Sequence, residues 1–151
     1  MPQSLSRILI HTIFSTKNRE NIFTDSEFRM ETHALIGGVM KTLKCLPIKI
    51  GGTADHIHIL STLDRSVCVA DLVKETKRVS TDWIQQQDRS LSQFHWQAGY
   101  GVFSVSESNS DAVIKYIENQ EEHHRKTTFK DEFRVFCEKH SVGIDEQYVW
   151  E

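Results

Sequence analysis

Alternation between strand-like and helix-like hydrophobic spacing restricts this chain more than any other feature. Leu5 to Ser15 (LSRILIHTIFS) is rich in β-branched residues and reads as a strand. Asp25 to Leu43 reads as a helix. Asp25 is a capping residue, and Phe28, Leu35, Val39 and Leu43 recur at spacings of seven, four and four. After Pro47, Ile48 and Ile50 alternate with Lys49, and Gly51-Gly52 signals a turn. His56 to Leu63 (HIHILSTL) alternates again and predicts the second strand of a hairpin. Val69 to Gln87 carries Leu72, Val73, Val79, Trp83 and Ile84 on or near one helical stripe. Phe94–Trp96 and Val102–Val105 read as two short strands around Gly99 and Gly101. A helix capped by Ser110 or Asp111 runs to about His124, and a last helix spans roughly Lys130 to His140.

The order β-α-β-β-α-β followed by helices predicts an α+β fold. It is the ferredoxin-like, RRM-like arrangement: a four-stranded antiparallel sheet with both helices on one face. The other face is left for a ligand or a late helix. RNA-binding modules, small enzymes and regulatory domains all use this topology, so it does not decide function. With 151 residues and 38% hydrophobic residues, one folded domain over 1–151 is expected, and a disordered or low-complexity chain is excluded. No apolar run reaches the roughly 18 residues of a membrane span. Met1 to Asn21 is polar and lacks the apolar stretch of a secretory signal. Cys45, Cys68 and Cys137 are odd in number and form no CxxC or zinc spacing, which suits reduced thiols and a cytoplasmic location.

Two local patterns carry chemistry. In Asp55-His56-Ile57-His58-Ile59-Leu60, strand alternation turns His56 and His58 to one face and Ile57 and Ile59 to the other. Two imidazoles on one face chelate a divalent cation or serve as an ordinary hydrogen-bonded pair. In the late helix, Tyr116 and Gln120 lie at i and i+4 and share an edge. A phenol can act as a nucleophile and a Gln carbonyl can complete a metal site. The same spacing also fits a tyrosine covering the core and a solvated glutamine.

Taken together, the patterns resemble the single-tyrosine insertion-sequence transposases of the HUH endonuclease superfamily, including the REP-associated type. The likeness extends over nearly the whole chain. It rests on five motifs in order: Phe14-Ser15-Thr16-Lys17-Asn18-Arg19; Gly52 with Asp55-His56-Ile57-His58; Lys77, Ser80, Trp83 and Ile84; Trp96-Gln97-x-Gly99-Tyr100-Gly101-x-Phe103-Ser104; and Tyr116-Ile117-x-x-Gln120 followed by His123-His124. The resemblance implies one HUH-type transposase domain in which His56, His58 and Gln120 hold Mg2+ or Mn2+ and Tyr116 is the nucleophile. It implies cleavage of single-stranded DNA at hairpin-marked element ends, a 5′-phosphotyrosine intermediate, and rejoining. It further implies a homodimer in which the tyrosine helix acts in trans, with Glu107 to Ser110 as the hinge. Asp55 would orient a ligand or join the metal. His11 faces either the core or the site, and His123 and His124 are either phosphate contacts or surface residues. A rolling-circle nicking enzyme and a non-catalytic nucleic-acid-binding regulator on the same fold are the competing readings.

Net charge bears on the DNA partner. The total of -3 disfavours nucleic acid at first sight. Residues 1–90 nevertheless carry 12 Lys+Arg against 10 Asp+Glu, while residues 91–151 carry 6 against 11. Local cations therefore matter more than the total. Lys17 and Arg19 after strand one, Lys74, Lys77 and Arg78 on the second helix, and Arg125 and Lys126 after the Tyr helix are candidate phosphate contacts. Trp96, Tyr100 and Phe103 are candidates for stacking on unpaired bases.

Overall fold

The computed structural model describes residues 2–151. Strands β1 (Leu9–Ser15), β2 (Pro47–Gly52), β3 (His56–Thr62) and β4 (Gly101–Val105) form one sheet in the order β2-β3-β1-β4. All three pairings are antiparallel. Helices α1 (Ser26–Thr42) and α2 (Val69–Gln87) make the two crossovers. This is the ferredoxin-like arrangement expected from the order of elements. Asp25 caps α1 as predicted, accepting the Glu27 amide at 3.0 Å.

Strand parity sorts the core. Ile10 and Phe14 of β1 and Ile57 and Ile59 of β3 pack on Ile36 and Met40 of α1 and on Leu72 and Ile84 of α2. The alternate residues face the opposite way, onto three C-terminal helices, α3 (Ser110–Glu118), α4 (Gln120–His123) and α5 (Phe129–Lys139). There Leu9 and Leu60 meet Ile117 of α3, and Ile13 and Phe103 meet Phe129, Phe133 and Cys137 of α5. Burying one such Phe or Ile is worth roughly 1.5–3 kcal/mol, against about 0–1 kcal/mol for an exposed ion pair. Apolar packing therefore seats α5, and its surface pairs, such as Arg134 with Glu146, only trim it.

Two glycines let these helices approach. A Cβ on Gly51 would lie 2.6 Å from Ile117 Cγ2 and 2.7 Å from the Ile117 carbonyl oxygen. A Cβ on Gly101 would lie 2.7 Å from Phe133 Cε2. The sheet face that sequence reading leaves open is thus closed by helices that fit only over bare backbone.

The structure departs from the sequence reading in four places. Residues 5–8 are exposed and precede β1, which starts at Leu9. Gly51 and Gly52 belong to β2, and the hairpin turns at residues 53–55. Phe94–Trp96 is a loop with a single bridge from Trp96 to Thr16, because Phe94 and Trp96 bury their rings against Phe23 rather than extend a strand. The late helix breaks at Asn119 (φ -96°, ψ 20°), which separates α3 from α4. Asn competes for backbone hydrogen bonds and tolerates such non-helical angles.

Candidate active site

The site lies on the sheet face covered by α3, α4 and α5. His11, His56 and His58 are 2%, 1% and 0% exposed, so none is an ordinary surface histidine. The register sets Ser15 opposite His56 and Ile13 opposite His58, and parity brings His11 onto the same face. His11 therefore faces the site, the question its sequence context left open.

Hydrogen bonds fix the rings. Asp55 Oδ1 lies 2.7 Å from His56 Nδ1, and Thr53 Oγ1 lies 3.0 Å from the same nitrogen. In the tautomer Asp55 selects, Nδ1 donates and Nε2 presents its lone pair. His58 Nδ1 is 2.8 Å from His11 Nε2, and His58 Nε2 is 2.9 Å from Glu132 Oε1. Burial pulls His58 down to about 4, overriding the neighbouring Glu132 carboxylate, and pulls His11 well below its ordinary value.

The helix break aims the second pair. With Ile117 seated on the sheet, Tyr116 turns its hydroxyl inward, and the kink at Asn119 swings Gln120 into the site, where it is 1% exposed. Gln120 Nε2 donates to Glu132 Oε2 at 3.2 Å, so Oε1 faces His56 Nε2 at 2.9 Å. Tyr116 Oη donates to Glu132 Oε2 and lies 3.2 Å from His123 Nε2. Burial and the adjacent Glu132 charge push the phenol well above its usual range. Tyr116, Gln120, His56 and His58 thus converge within one chain.

Glu132, at the centre of this cluster, is absent from the sequence reading. Its side chain is 2% exposed, and its ion-pair partners among the described residues are all imidazoles: His56, His58, His123 and His124. Burial pushes its carboxyl up, but His124 and His58 beside it hold it well below the usual carboxylate range. A signal existed in the sequence. Phe129, Phe133, Phe136 and Cys137 form an apolar helical stripe, and Glu132 falls on it. A charge on a buried face needs a partner.

The residues suit a divalent cation. Ligand atoms of His56, His58, His124 and Glu132 lie within 4.8 Å of one another, and Gln120 Oε1 sits beside them. His124 Nε2 is buried, pairs with Glu132 Oε2 at 3.1 Å and has no other partner among the described residues. An imidazole nitrogen of this kind is a donor atom without an acceptor role elsewhere, and the mixed N/O set accommodates a transition metal.

The candidate DNA contacts are more dispersed. A cleft of about 530 Å3 opens beside the cluster, lined by Asn21, Thr53, Asp55, His124, Arg125 and Lys126. Arg125 is exposed there and pairs with Glu122 at 3.1 Å. A second groove of about 520 Å3 follows α2, with Lys74, Lys77, Arg78 and Tyr100 on its walls. The Lys77 ammonium is spoken for, since it donates to the carbonyls of Gln97, Ala98 and Gly99 at 2.7, 3.3 and 2.7 Å. Arg78 pairs with Glu75. Arg19 donates to the Trp150 carbonyl, whereas Lys17 is exposed. Among the three aromatics named for base stacking, Trp96 and Phe103 are buried and Tyr100 is 40% exposed. Glu107–Asn109 is a short 3-10 turn leading into α3.

A family model described as "Transposase IS200 like" matches residues 4–120. No curated protein matches the chain. Among solved structures, a candidate transposase from Deinococcus radiodurans R1 aligns with a TM-score of 0.62 at 21% identity, over 80% of this chain and 95% of that one. A REP-associated tyrosine transposase bound to a REP hairpin aligns with a TM-score of 0.59 at 15% identity, over 82% of this chain and 74% of that one. At these identities the two structures bear on the fold.

Proposed function

The chain belongs to the IS200-like transposase family, and on that premise we propose that it cleaves and rejoins single-stranded DNA through Tyr116. The convergence of Tyr116, Gln120, His56 and His58 on one buried carboxylate carries this reading. Tyr116 Oη attacks phosphorus in line with the leaving 3′ oxygen. The Oη–P bond forms and the P–O3′ bond breaks, giving a 5′-phosphotyrosine and a free 3′-OH. The phenol proton passes to Glu132 Oε2, which already accepts its hydrogen bond, and the 3′ oxygen takes a proton from solvent. The covalent link preserves the phosphodiester energy, so a 3′-OH can attack in the reverse step without ATP.

The resting site restrains this chemistry. Burial and Glu132 keep Tyr116 protonated. His56, His58 and Gln120 would hold a divalent cation, Mg2+ or Mn2+, whose positive charge would polarise the scissile phosphate and offset the carboxylate beside the phenol. Asp55 orients His56, and His11 orients His58. The cleft beside Asp55 and His124 admits the scissile phosphate, with Arg125 and Lys126 at its rim. The related transposase bound to a REP hairpin supports a folded single strand as substrate. Lys17, Lys74 and Arg78 hold its backbone, and exposed Tyr100 stacks on a base.

Labelled hairpin DNA incubated with protein and Mn2+, then denatured, tests the reading. Wild type should carry a covalent adduct that EDTA suppresses, and Tyr116→Phe, still folded by circular dichroism, should not. An adduct that survives Tyr116→Phe moves the nucleophile elsewhere. Cleavage without an adduct assigns the attack to water, and hairpin binding with neither indicates a non-catalytic regulator. Ile117 packs on Gly51 of the same chain, which supports a tyrosine that serves the histidines of its own chain rather than a partner's. Mixing Tyr116→Phe with His56→Ala protein should therefore restore no adduct, and restoration would establish exchange across a dimer.

A further inference from the structure

We propose that His124 and Glu132, both beyond the family-matched residues 4–120, are metal ligands that make with His56 and His58 a four-donor centre selective for transition metals over Mg2+. The inference rests on the metal-dependent reading above; it keeps His56 and His58, adds His124 and Glu132, and leaves Gln120 outside the four donors. The motif segment alone offers two imidazoles and a glutamine oxygen. The C-terminal part of the chain adds a third imidazole and a carboxylate, and both are built into the fold.

Asp55 accepts a hydrogen bond from His56 Nδ1–H, so His56 Nε2 aims a lone pair at Gln120 Oε1, 2.9 Å away, and at Glu132 Oε1, 3.6 Å away. The Gln120 oxygen is fixed in that direction because its amide nitrogen donates to Glu132 Oε2. His56 Nε2 and Gln120 Oε1 therefore face each other as acceptors beside Glu132 Oε1, whose hydrogen bond comes from His58 Nε2. Acceptors repel unless a positive centre lies among them. His124 Nε2, buried and with no partner besides Glu132 Oε2 at 3.1 Å, borders the space among these atoms.

Charge and distance agree with this. Glu132 is buried with no Lys or Arg among its described ion-pair partners, and a buried carboxylate needs compensation. A transition metal binds imidazole nitrogen and carboxylate oxygen at roughly 2.0–2.2 Å, so donors on one ion lie no more than about 4.3 Å apart. The four ligand atoms already lie within 4.8 Å, and a few tenths of an ångström of side-chain movement closes the set. His58 binds after a tautomer change: its proton moves to Nδ1 and donates to His11 Nε2, which lies 2.8 Å away and accepts in its own Nδ1–H form. Three imidazoles and one carboxylate suit Mn2+, Co2+ or Zn2+. Mg2+ prefers oxygen and keeps its waters.

Calorimetry with Mn2+ and with Mg2+ on the intact chain tests this, together with the visible absorption of bound Co2+, whose bands report coordination number. Wild type should bind Mn2+ at least about tenfold more tightly than Mg2+. Glu132→Gln, which keeps the size of the side chain, and His124→Ala should each weaken Mn2+ by about tenfold or more and change the Co2+ spectrum. Thermal unfolding of each metal-free variant must show a folded protein. If Glu132→Gln fails that control, Glu132→Asp takes its place, with a displaced carboxylate and an altered Co2+ spectrum expected. Equal affinity for Mn2+ and Mg2+, or wild-type Mn2+ affinity in either variant, overturns the four-donor centre. Because the readout is metal binding, normal Mn2+ binding with no Tyr116 adduct would sink the cleavage reading instead.

Discussion

Substituting Gly51 by Ala tests whether the position of Tyr116, the proposed nucleophile, depends on bare backbone at one point of β2. The added methyl would stand 2.7 Å from the Ile117 carbonyl oxygen and 2.6 Å from its Cγ2. The side chain could rotate, but the carbonyl belongs to α3 and cannot. Restoring the oxygen contact to 3.4 Å, an ordinary separation, requires α3 and β2 to part by about 0.7 Å. Overpacking of this kind costs about 1–3 kcal/mol. At about 2–4 °C per kcal/mol for a chain of this size, the melting temperature should fall by roughly 2–12 °C. Tyr116 precedes Ile117 and moves with it. A misplacement of about 1 Å can cost on the order of 100-fold in rate, so adduct formation should slow by roughly 10- to 100-fold. Melting followed by circular dichroism, and adduct formation in single turnover, measure the two effects. Gly38→Ala is the control. Gly38 is exposed in α1 with nothing near the added methyl, and Ala there should be neutral or stabilising by about 0.5–1 kcal/mol. Gly51→Ala protein with wild-type stability and wild-type adduct rate would refute the seating of α3 on β2.

Lys77→Met keeps the apolar stem but leaves three carbonyls without their shared donor. It should cost about 1–3 kcal/mol, read as a lower melting temperature, and a wild-type melt would return Lys77 to the pool of free phosphate contacts. Burial pulls His33 of α1 down to about 4, with Arg29 adding to the shift. Between about 4 and 6.5 the unfolded chain binds a proton there that the folded chain does not. Stability from this residue is therefore full above pH 6.5, falls through that window and is gone below about 4. Urea midpoints at pH 7 and pH 5 should converge in His33→Gln relative to wild type, and an unchanged pH dependence would remove His33 from the account.

Most of the fold was legible because its signals are local. The alternation of Ile57 and Ile59 with His56 and His58, and the stripe Leu72, Val73 and Ile84, set period and face without reference to the rest of the chain. The same parity turns His56 and His58 to one face. The rest depended on tertiary packing. Phe94 and Trp96 have strand-like composition, yet their rings gain more against Phe14 and Phe23 than their backbone would in a ladder. The break at Asn119 has no strong signature, because one Asn inside a helical pattern usually stays helical. Glu132 shows the limit most clearly. Its neighbours in space come from β3 and α4, so nothing adjacent to it in sequence reveals why a carboxylate sits on an apolar stripe. Tyr116 and Gln120 were found through their resemblance to a motif, and their shared acceptor was not.

Closure of the sheet by α5 also bears on when the protein can act during its synthesis. The histidines of β1 and β3 emerge early and can pair as soon as the hairpin closes. The carboxylate that meets His58 and receives the Tyr116 hydrogen bond arrives only with residue 132. It is held only once Phe129 and Phe133 have docked on Ile13 and Phe103. Chains fold as they are made, at about 5–20 residues per second, so the nascent polypeptide carries an incomplete histidine–carboxylate cluster through most of its manufacture. The late helix thereby sets when the His58, Tyr116 and Glu132 side chains first meet, after all four strands have been made.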